Sequence, residues 1–349
     1  MLLTLDKGNE MMKVLLTLMM IITMGLSNSE INEMKKNCQE GHMTYCTSLG
    51  LMYRDGKNMK QDTSKAIELF SKACENDVLS SCYYLGGMYT KIDQSKAVKY
   101  LTKACEGDYA LMACSDLGFA YAKGKGVKQD IFKAIKYYTR GCNAGDTLSC
   151  HNLGSVYESG ENGVVADYPK AIKYYTIACK NGLASSCRNL GLIYDVAQGA
   201  EEDKDKILKY YTKGCHAGDM VSCHNLGNMY DTGQGVKQDY TKALRYYAKA
   251  CDYGRAASCR NLGIMYYIGQ GIKEDPFKSV EFYTKACDAK DAKACYNLGN
   301  MYYKGEGVRQ NDLEAKEYFG KACDYGLAFG CKEYAKLNKQ GKATKEICP

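Results

Sequence analysis

Apolar residues recur along the chain in two alternating blocks, and each block has the spacing of a helix. The block Leu-Gly-x-x-Tyr is followed about 17 residues later by a second block, such as Ala134-Ile-Lys-Tyr-Tyr138 or Ala243-Leu-Arg-Tyr-Tyr247. Both place apolar side chains at i and at i+3 or i+4, on one face of a helix. The pattern predicts pairs of helices, A and then B, and no segment reads as a strand. The first block begins at eight leucines: Leu49, Leu85, Leu117, Leu153, Leu190, Leu226, Leu262 and Leu298.

The intervals between successive leucines are 36, 32, 36, 37, 36, 36 and 36 residues. A nearly constant period in this range indicates a solenoid of stacked helix pairs. A glycine-rich loop that ends in an aspartate, as in Gly233 to Asp239, joins A to B, and the aspartate is a good N-cap for helix B. The segment from Tyr89 to Ser95 is too short for this loop, which predicts a compressed second repeat. The repeats are predicted to start near residues 44, 79, 111, 147, 184, 220, 256 and 292.

The cysteines follow the same period. The first member of each pair ends a helix B and the second lies in the next helix A, and glycines such as Gly145 and Gly254 suit the left-handed turn between them. This turn brings the two cysteines close enough for a disulfide. The predicted pairs, which leave Cys348 over, are Cys38 with Cys46, Cys74 with Cys82, Cys105 with Cys114, Cys142 with Cys150, Cys179 with Cys187, Cys215 with Cys223, Cys251 with Cys259, Cys287 with Cys295, and Cys323 with Cys331.

Zinc or haem is the alternative explanation of the cysteines. Zinc ligands are usually closer in sequence, the haem attachment motif Cys-x-x-Cys-His is absent, and only four histidines are present. No metal or cofactor is therefore predicted.

The N-terminus indicates export. Lys13 precedes an apolar run from Val14 to Leu26, too short to span a bilayer but typical of a signal-peptide core. We predict a signal peptide over residues 1–29, cleaved before Glu30, with translation starting at Met11 or Met12; a membrane anchor is the alternative. The mature protein is then expected to be secreted through the periplasm, with no membrane span.

Composition refines this picture. The 349 residues are 46% apolar, which supplies a core, and the net charge of +7 comes from 47 basic and 40 acidic residues without blocks of like charge. Nucleic acid is therefore not a predicted partner. We predict one solenoid of about eight repeats over residues 30–331 and a closing helix with a tail over residues 332–349.

The 36-residue Leu-Gly-x-x-Tyr period, with Ala-x-x-x-Tyr in helix B, resembles the Sel1-like repeat, a relative of the tetratricopeptide repeat. With the cysteine pair in every copy and a signal peptide, the chain more narrowly resembles the Helicobacter cysteine-rich protein family. The resemblance implies an all-α, right-handed superhelix with one disulfide per repeat, and secretion. Members of that family are described as penicillin-binding proteins with weak β-lactamase activity, and such repeats are otherwise thought of as protein-binding scaffolds.

One face of helix A is polar and regular. At 100° per residue, the residue after the second cysteine, the residue before the leucine and the residue two after it share a face. In tetratricopeptide relatives helix A lines the concave surface, so this face is predicted to line a groove. The candidate residues are His151, Asn152, Arg188, Asn189, His224, Asn225, Asn228, Arg260, Asn261, Asn297 and Asn300.

Asparagine can both donate to and accept from a peptide backbone, and arginine can hold a carboxylate with two parallel bonds. The predicted ligand is an extended peptide or protein with acidic groups or a terminal carboxylate, which includes a cell-wall peptide or a β-lactam. The alternative is that the asparagines bond to neighbouring helices and hold the stack together. The tyrosine pairs of helix B are predicted to be mostly core.

The sequence shows no dedicated catalytic motif. Ser-x-x-Lys, Ser-Asp-Asn and Lys-Thr-Gly are absent, and the histidines include no His-x-His. Any hydrolysis would need residues from several repeats, such as His151 or His224 activating water. Two functions therefore remain: a secreted binding scaffold, and a penicillin-binding protein with slow β-lactamase activity that rests on the resemblance alone.

Overall fold

The computed structural model describes residues 26–107, 110–196 and 201–339, and within these ranges it contains eighteen α-helices and no strand. The all-α repeat fold predicted from the sequence is confirmed. The helices are α1 Asn28–Gln39, α2 Met43–Asp55, α3 Thr63–Glu75, α4 Leu79–Tyr89, α5 Gln94–Glu106, α6 Ala110–Lys123, α7 Ile131–Asn143, α8 Thr147–Ser159, α9 Tyr168–Lys180, α10 Ala184–Val196, α11 Glu201–His216, α12 Met220–Thr232, α13 Tyr240–Asp252, α14 Ala256–Ile268, α15 Pro276–Asp288, α16 Ala292–Lys304, α17 Asp312–Asp324 and α18 Ala328–Lys339. The even-numbered helices are A helices, and the odd-numbered helices are B helices.

The chain divides into two compact units, an N-terminal unit of residues 1–174 and a C-terminal unit of residues 175–349. In each unit, helices that are consecutive in sequence pack against one another. Each unit is therefore a stack of helix pairs whose contacts are local in sequence, as in other repeat proteins.

Most of the described B helices begin at a side chain that caps their first turn. Asp239 Oδ1 accepts a hydrogen bond from the Lys242 N–H at 3.0 Å and so satisfies a backbone donor that has no partner within the helix. The A helices of several repeats end at a left-handed glycine, such as Gly233 at φ +75°, where a side chain would be strained. Equivalent aspartate caps precede other B helices at Asp62, Asp93, Asp130, Asp167 and Asp275.

Nine disulfides tie the end of one B helix to the start of the following A helix, which confirms the predicted local pairing. Their Cα–Cα distances lie between 4.5 and 4.9 Å, within the range that a disulfide requires. Cys348 lies outside the described residues. The bonds join Cys38 with Cys46, Cys74 with Cys82, Cys105 with Cys114, Cys142 with Cys150, Cys179 with Cys187, Cys215 with Cys223, Cys251 with Cys259, Cys287 with Cys295, and Cys323 with Cys331.

In eight of the nine pairs the second cysteine is part of the buried core. Cys46, Cys82, Cys114 and Cys150 of the N-terminal unit are fully buried, and so are Cys223 and Cys295 of the C-terminal unit. In Cys187 the exposed fraction is 1%. Cys331, in the last described helix, is only half-buried. All disulfides but the last are therefore shielded from solvent on the A-helix side.

Each repeat buries the leucine of its A helix, and every repeat except the second also buries an aromatic ring of its B helix. In the pair α12 and α13, Leu226 and Tyr247 are fully buried. Gly227 lies under the Tyr247 ring so closely that a Cβ there would be 2.5 Å from two ring carbons. The other tyrosine of the pair, Tyr246, stacks on Tyr230 with ring centroids 5.7 Å apart. The Leu-Gly dipeptide therefore supplies both a core side chain and the gap into which the next ring fits.

The first helix begins next to the predicted cleavage site. Ser27 and Glu30 form a reciprocal capping box, in which the Ser27 N–H donates to Glu30 Oε2 at 2.7 Å and the Glu30 N–H donates to Ser27 Oγ at 3.3 Å. Residues 1–25, and with them the apolar run up to Met24 and Gly25, lie outside the described residues. Cleavage before Glu30 would remove the capping serine from α1.

None of the helices in the described ranges is long and apolar enough to cross a membrane. The same ranges contain no group of three or more histidine, cysteine, aspartate or glutamate side chains placed to hold a metal ion.

Candidate functional site

The candidate groove residues lie on the A helices, where all of them are half-buried. In the N-terminal unit, α8 carries His151 and Asn152. In the C-terminal unit, consecutive A helices carry nine of the candidates, and we call these nine residues the A-helix face. They are Arg188 and Asn189 on α10, His224, Asn225 and Asn228 on α12, Arg260 and Asn261 on α14, and Asn297 and Asn300 on α16.

Both arginines of the A-helix face are paired with an acid. Arg188 Nη1 lies 2.7 Å from Asp219 Oδ2, and Arg260 Nη1 lies 2.5 Å from Asp291 Oδ2. Each aspartate is also the N-cap of the next A helix, and the side chains of Asp219 and Asp291 are only 10% and 11% exposed. The arginines therefore join one A helix to the next, and their charges are balanced without a ligand.

Several asparagines bond to the buried tyrosines of the B helices. Asn228 Oδ1 accepts a hydrogen bond from the Tyr247 hydroxyl at 2.6 Å and another from Asn261 Nδ2 at 3.3 Å. Burial raises the pKa of the Tyr283 hydroxyl to about 12, so the hydroxyl stays protonated. These amides hold neighbouring helices together. The tyrosine–asparagine pairs that link one repeat to the next are Tyr211 with Asn225, Tyr247 with Asn261 and Tyr283 with Asn297.

Asn300 differs from the other amides of the face. It has the position that Asn228 has in its own repeat, but the buried B-helix ring next to it belongs to Phe319, which has no hydroxyl. Asn300 makes no hydrogen bond to another side chain in the part of the chain that the structure describes. Its half-buried amide therefore keeps a donor and an acceptor for a ligand.

His224 forms a pair with a serine of the next A helix. Its Nδ1 lies 2.8 Å from Ser258 Oγ, and its ring centroid lies 5.7 Å from that of Tyr247. Burial, reinforced by the charges of Arg255 and Arg260, lowers the pKa of His224 to about 4. Although the distance resembles that of a nucleophile and its base, Ser258 is fully buried and the imidazole is a weak base. This serine hydroxyl cannot reach a substrate carbonyl.

The lowered pKa predicts a pH-dependent stability. Between the folded pKa of about 4 and the ordinary value of 6.5, the unfolded chain binds the His224 proton more strongly than the folded chain does. The contribution of His224 to the free energy of unfolding is therefore fully present above this window. It is lost as the pH decreases through the window, by about 2 kcal/mol at pH ~4.5. Urea unfolding at about pH 7 and pH 4.5 should show this loss in the parent protein but not in His224→Gln.

The matched control is His216→Gln, which changes an exposed histidine of the same unit. Because the His216 side chain is exposed to solvent in the folded chain, this variant should keep the parent's pH dependence. Equal pH dependence in the parent and in His224→Gln would contradict the assigned pKa.

The N-terminal unit has a cavity of 470 Å³ on the corresponding face of its A helices. It opens in the compressed second repeat, where Gly87 has the position of Asn228 and Leu101 has the position of Tyr247. Both replacements remove side-chain volume, which opens the space that Asn228 and Tyr247 fill in their own repeat. Phe119 and Asp116 also line it.

Sequence reasoning missed the residues that face the arginines and His224 from the next A helix. These are Asp219, Arg255 and Asp291, each 31 positions after the residue it faces. The signal was present, since an acid follows both arginines and a base follows His224. Only the packing of successive A helices shows that the two positions meet.

The sequence matches the Sel1 repeat in eight segments: residues 45–78, 79–109, 111–146, 147–183, 184–219, 221–254, 256–291 and 292–326. A search of curated proteins finds no match. Among solved structures, a protective antigen of uropathogenic Escherichia coli that displays an SLR fold is 26% identical, over 90% of this chain and 68% of its own, with a TM-score of 0.78. A Sel1 repeat protein from Oxalobacter formigenes is 22% identical, over 91% of this chain and 93% of its own, with a TM-score of 0.74.

Cysteine rich protein B of Helicobacter pylori is 31% identical, over 39% of this chain and 97% of its own, with a TM-score of 0.33. The eight matched segments together make up well over half of the sequence. The chain is a disulfide-rich scaffold, and it belongs to the Sel1 repeat family.

Proposed function

We propose that this protein is a secreted scaffold that binds an extended peptide segment of another molecule along its A-helix face. The observation that carries the proposal is the row of half-buried amides on consecutive A helices, which ends in Asn300, an amide that makes no side-chain hydrogen bond within the described ranges. An amide can pair with a peptide N–H or C=O whatever the side chains of that peptide are. A row of amides therefore suits an extended backbone.

The disulfides support export. Nine disulfides in one chain persist in an oxidising compartment, whereas cytosolic thiols are kept reduced. A rigid scaffold also helps binding, because fewer side chains and loops lose freedom when the ligand docks. A cell-wall peptide and an acidic segment of a partner protein are the two ligand classes that we favour.

A peptide array tests the binding proposal with Asn300→Ala. Random dodecapeptides retained by the oxidised parent protein are expected to bind the variant about 3- to 10-fold more weakly, since one hydrogen bond is worth about 0.5–1.5 kcal/mol. Asn338→Ala is the matched control, because it removes an exposed amide of α18 in the same unit. Retention of no peptide, or equal binding by the two variants, would contradict the proposal.

Slow β-lactam hydrolysis stays a prediction that rests on the resemblance. The pair of His224 and Ser258 does not support it, since the serine is buried. Turnover of a chromogenic cephalosporin by the purified protein, lost on mutation of a groove residue, would support it.

A further inference from the structure

In the C-terminal unit, each A helix packs against the next, and we call each such junction a step: α10 to α12, α12 to α14 and α14 to α16. At each step, the residue after the second cysteine of one A helix lies near the residue that precedes the next A helix. The two positions are 31 residues apart at every step. At the first and third steps they hold the arginine–aspartate ion pairs described above. At the middle step, between α12 and α14, they hold His224 and Arg255, so a second base stands where the neighbouring steps have an acid.

The charge of Arg255 is not balanced within the described part of the chain. The Arg255 side chain forms no ion pair there, and its Nε is buried without a hydrogen-bond partner. The nearby Arg260 is already neutralised by Asp291. Because His224 is held neutral at neutral pH, the middle step carries one net positive charge, whereas the outer two steps carry none.

A half-buried arginine whose buried Nε–H is unsatisfied is a costly arrangement unless an anion completes it. A carboxylate is the anion that matches one positive charge, and its two oxygens fit two parallel N–H groups of arginine. A phosphate dianion could make the same bonds but would leave a negative charge over. The Nδ1 atom of His224 is engaged by Ser258, which leaves only Nε2 of the ring for a ligand.

We propose that the step between α12 and α14 binds a carboxylate of the peptide held on the A-helix face, with Arg255 as the residue that recognises it. This inference rests on the proposed function and names the chemistry of the ligand. An acidic side chain or the terminal carboxylate of the peptide would occupy the position that Asp219 and Asp291 occupy at the outer steps. The bound carboxylate would complete the alternation of charge along the face.

The test uses the Nε–H resonance of Arg255 in the ¹⁵N-labelled, oxidised full chain. The probe is N-acetylglutamate amide, with N-acetylglutamine amide as its neutral counterpart and inorganic phosphate as the competing anion. We expect a saturable shift with the glutamate probe, at least tenfold weaker binding of the glutamine probe and at least threefold weaker binding of phosphate. No saturable shift, or equal shifts with the glutamate and glutamine probes, would overturn the proposal. Tighter binding of phosphate than of the glutamate probe would also overturn it, because the site would then recognise a phosphate group and not a carboxylate.

The double variant His224→Arg with Arg255→Asp is the sharper control. It converts the middle step into the arginine–aspartate pair that the fold already accommodates on either side, so it is expected to fold and to show the Arg–Asp pairing. Since Arg255 is absent from this variant, the backbone amides of α14 report on the probe, and they should no longer respond to N-acetylglutamate amide. An unchanged response would contradict the assignment to Arg255.

The peptide array separates this inference from the proposed function. Peptides that bind equally to the parent and to the double variant would leave the scaffold function standing and remove the carboxylate site. A shift with N-acetylglutamate amide but no retained peptide would leave the carboxylate site standing and remove the scaffold function.

Discussion

Reduction of the nine disulfides is expected to unfold the protein at room temperature without denaturant. Each disulfide closes a short loop and removes about 2–3 kcal/mol of chain entropy from the unfolded state. Helices of 11 to 16 residues, as found here, are marginal on their own in water. A typical net stability of about 5–15 kcal/mol is smaller than the combined contribution of nine such links.

Far-UV circular dichroism before and after reduction and alkylation measures this effect. The control is Cys251→Ala with Cys259→Ala, which removes a single link and should remain folded while losing about 2–3 kcal/mol in urea unfolding. A reduced and alkylated chain that kept its helix signal and a cooperative transition would show that packing alone sustains the repeats.

The second large effect is expected for Gly227→Ala. The added Cβ would lie 2.5 Å from Cδ1 and Cε1 of the fully buried Tyr247 ring, so the ring must move. That movement also disturbs the hydrogen bond from the Tyr247 hydroxyl to Asn228. Overpacking of this kind costs about 1–3 kcal/mol, and the strained hydrogen bond places this variant near the upper end, at about 3 kcal/mol.

Gly87→Ala is the matched control for this glycine. Gly87 also lies within an A helix, but no atom is within 4 Å of a Cβ built there. Alanine has the higher helix propensity, so this variant should be about 0.5–1 kcal/mol more stable than the parent. Urea unfolding midpoints of the two variants should therefore move in opposite directions, and similar shifts would show that the ring contact does not decide the effect.

The repeat fold could be predicted because its determinants are local in sequence. The helical spacing of apolar residues, the capping aspartate Asp239 and the left-handed Gly233 each act within a few residues of themselves. The disulfides were predictable for the same reason, since a turn of fixed length joins each pair. The shortened loop from Tyr89 likewise indicated a compressed repeat, although the cavity also required Leu101 in place of a tyrosine.

The chemistry of the A-helix face was predictable only in part. A helical projection places Arg188 and Asn228 on one face, but it treats each helix alone and cannot show what the next helix presents to that face. The packing of successive A helices brings Asp219 to the arginine, and the length of a tyrosine brings the Tyr247 hydroxyl to Asn228. The residue that now carries the ligand proposal, Arg255, lies in a turn outside the projected helix.

Disulfide mapping of protein taken from its natural host tests the central claim, an exported scaffold of locally closed repeats. Free thiols are blocked at lysis, and the unreduced chain is digested between repeats and analysed by mass spectrometry. The account predicts nine links, each between cysteines eight or nine positions apart, in a chain that begins at Glu30 and lies outside the cytosol. Unmodified cysteines in these pairs, or links that join different repeats, would contradict it.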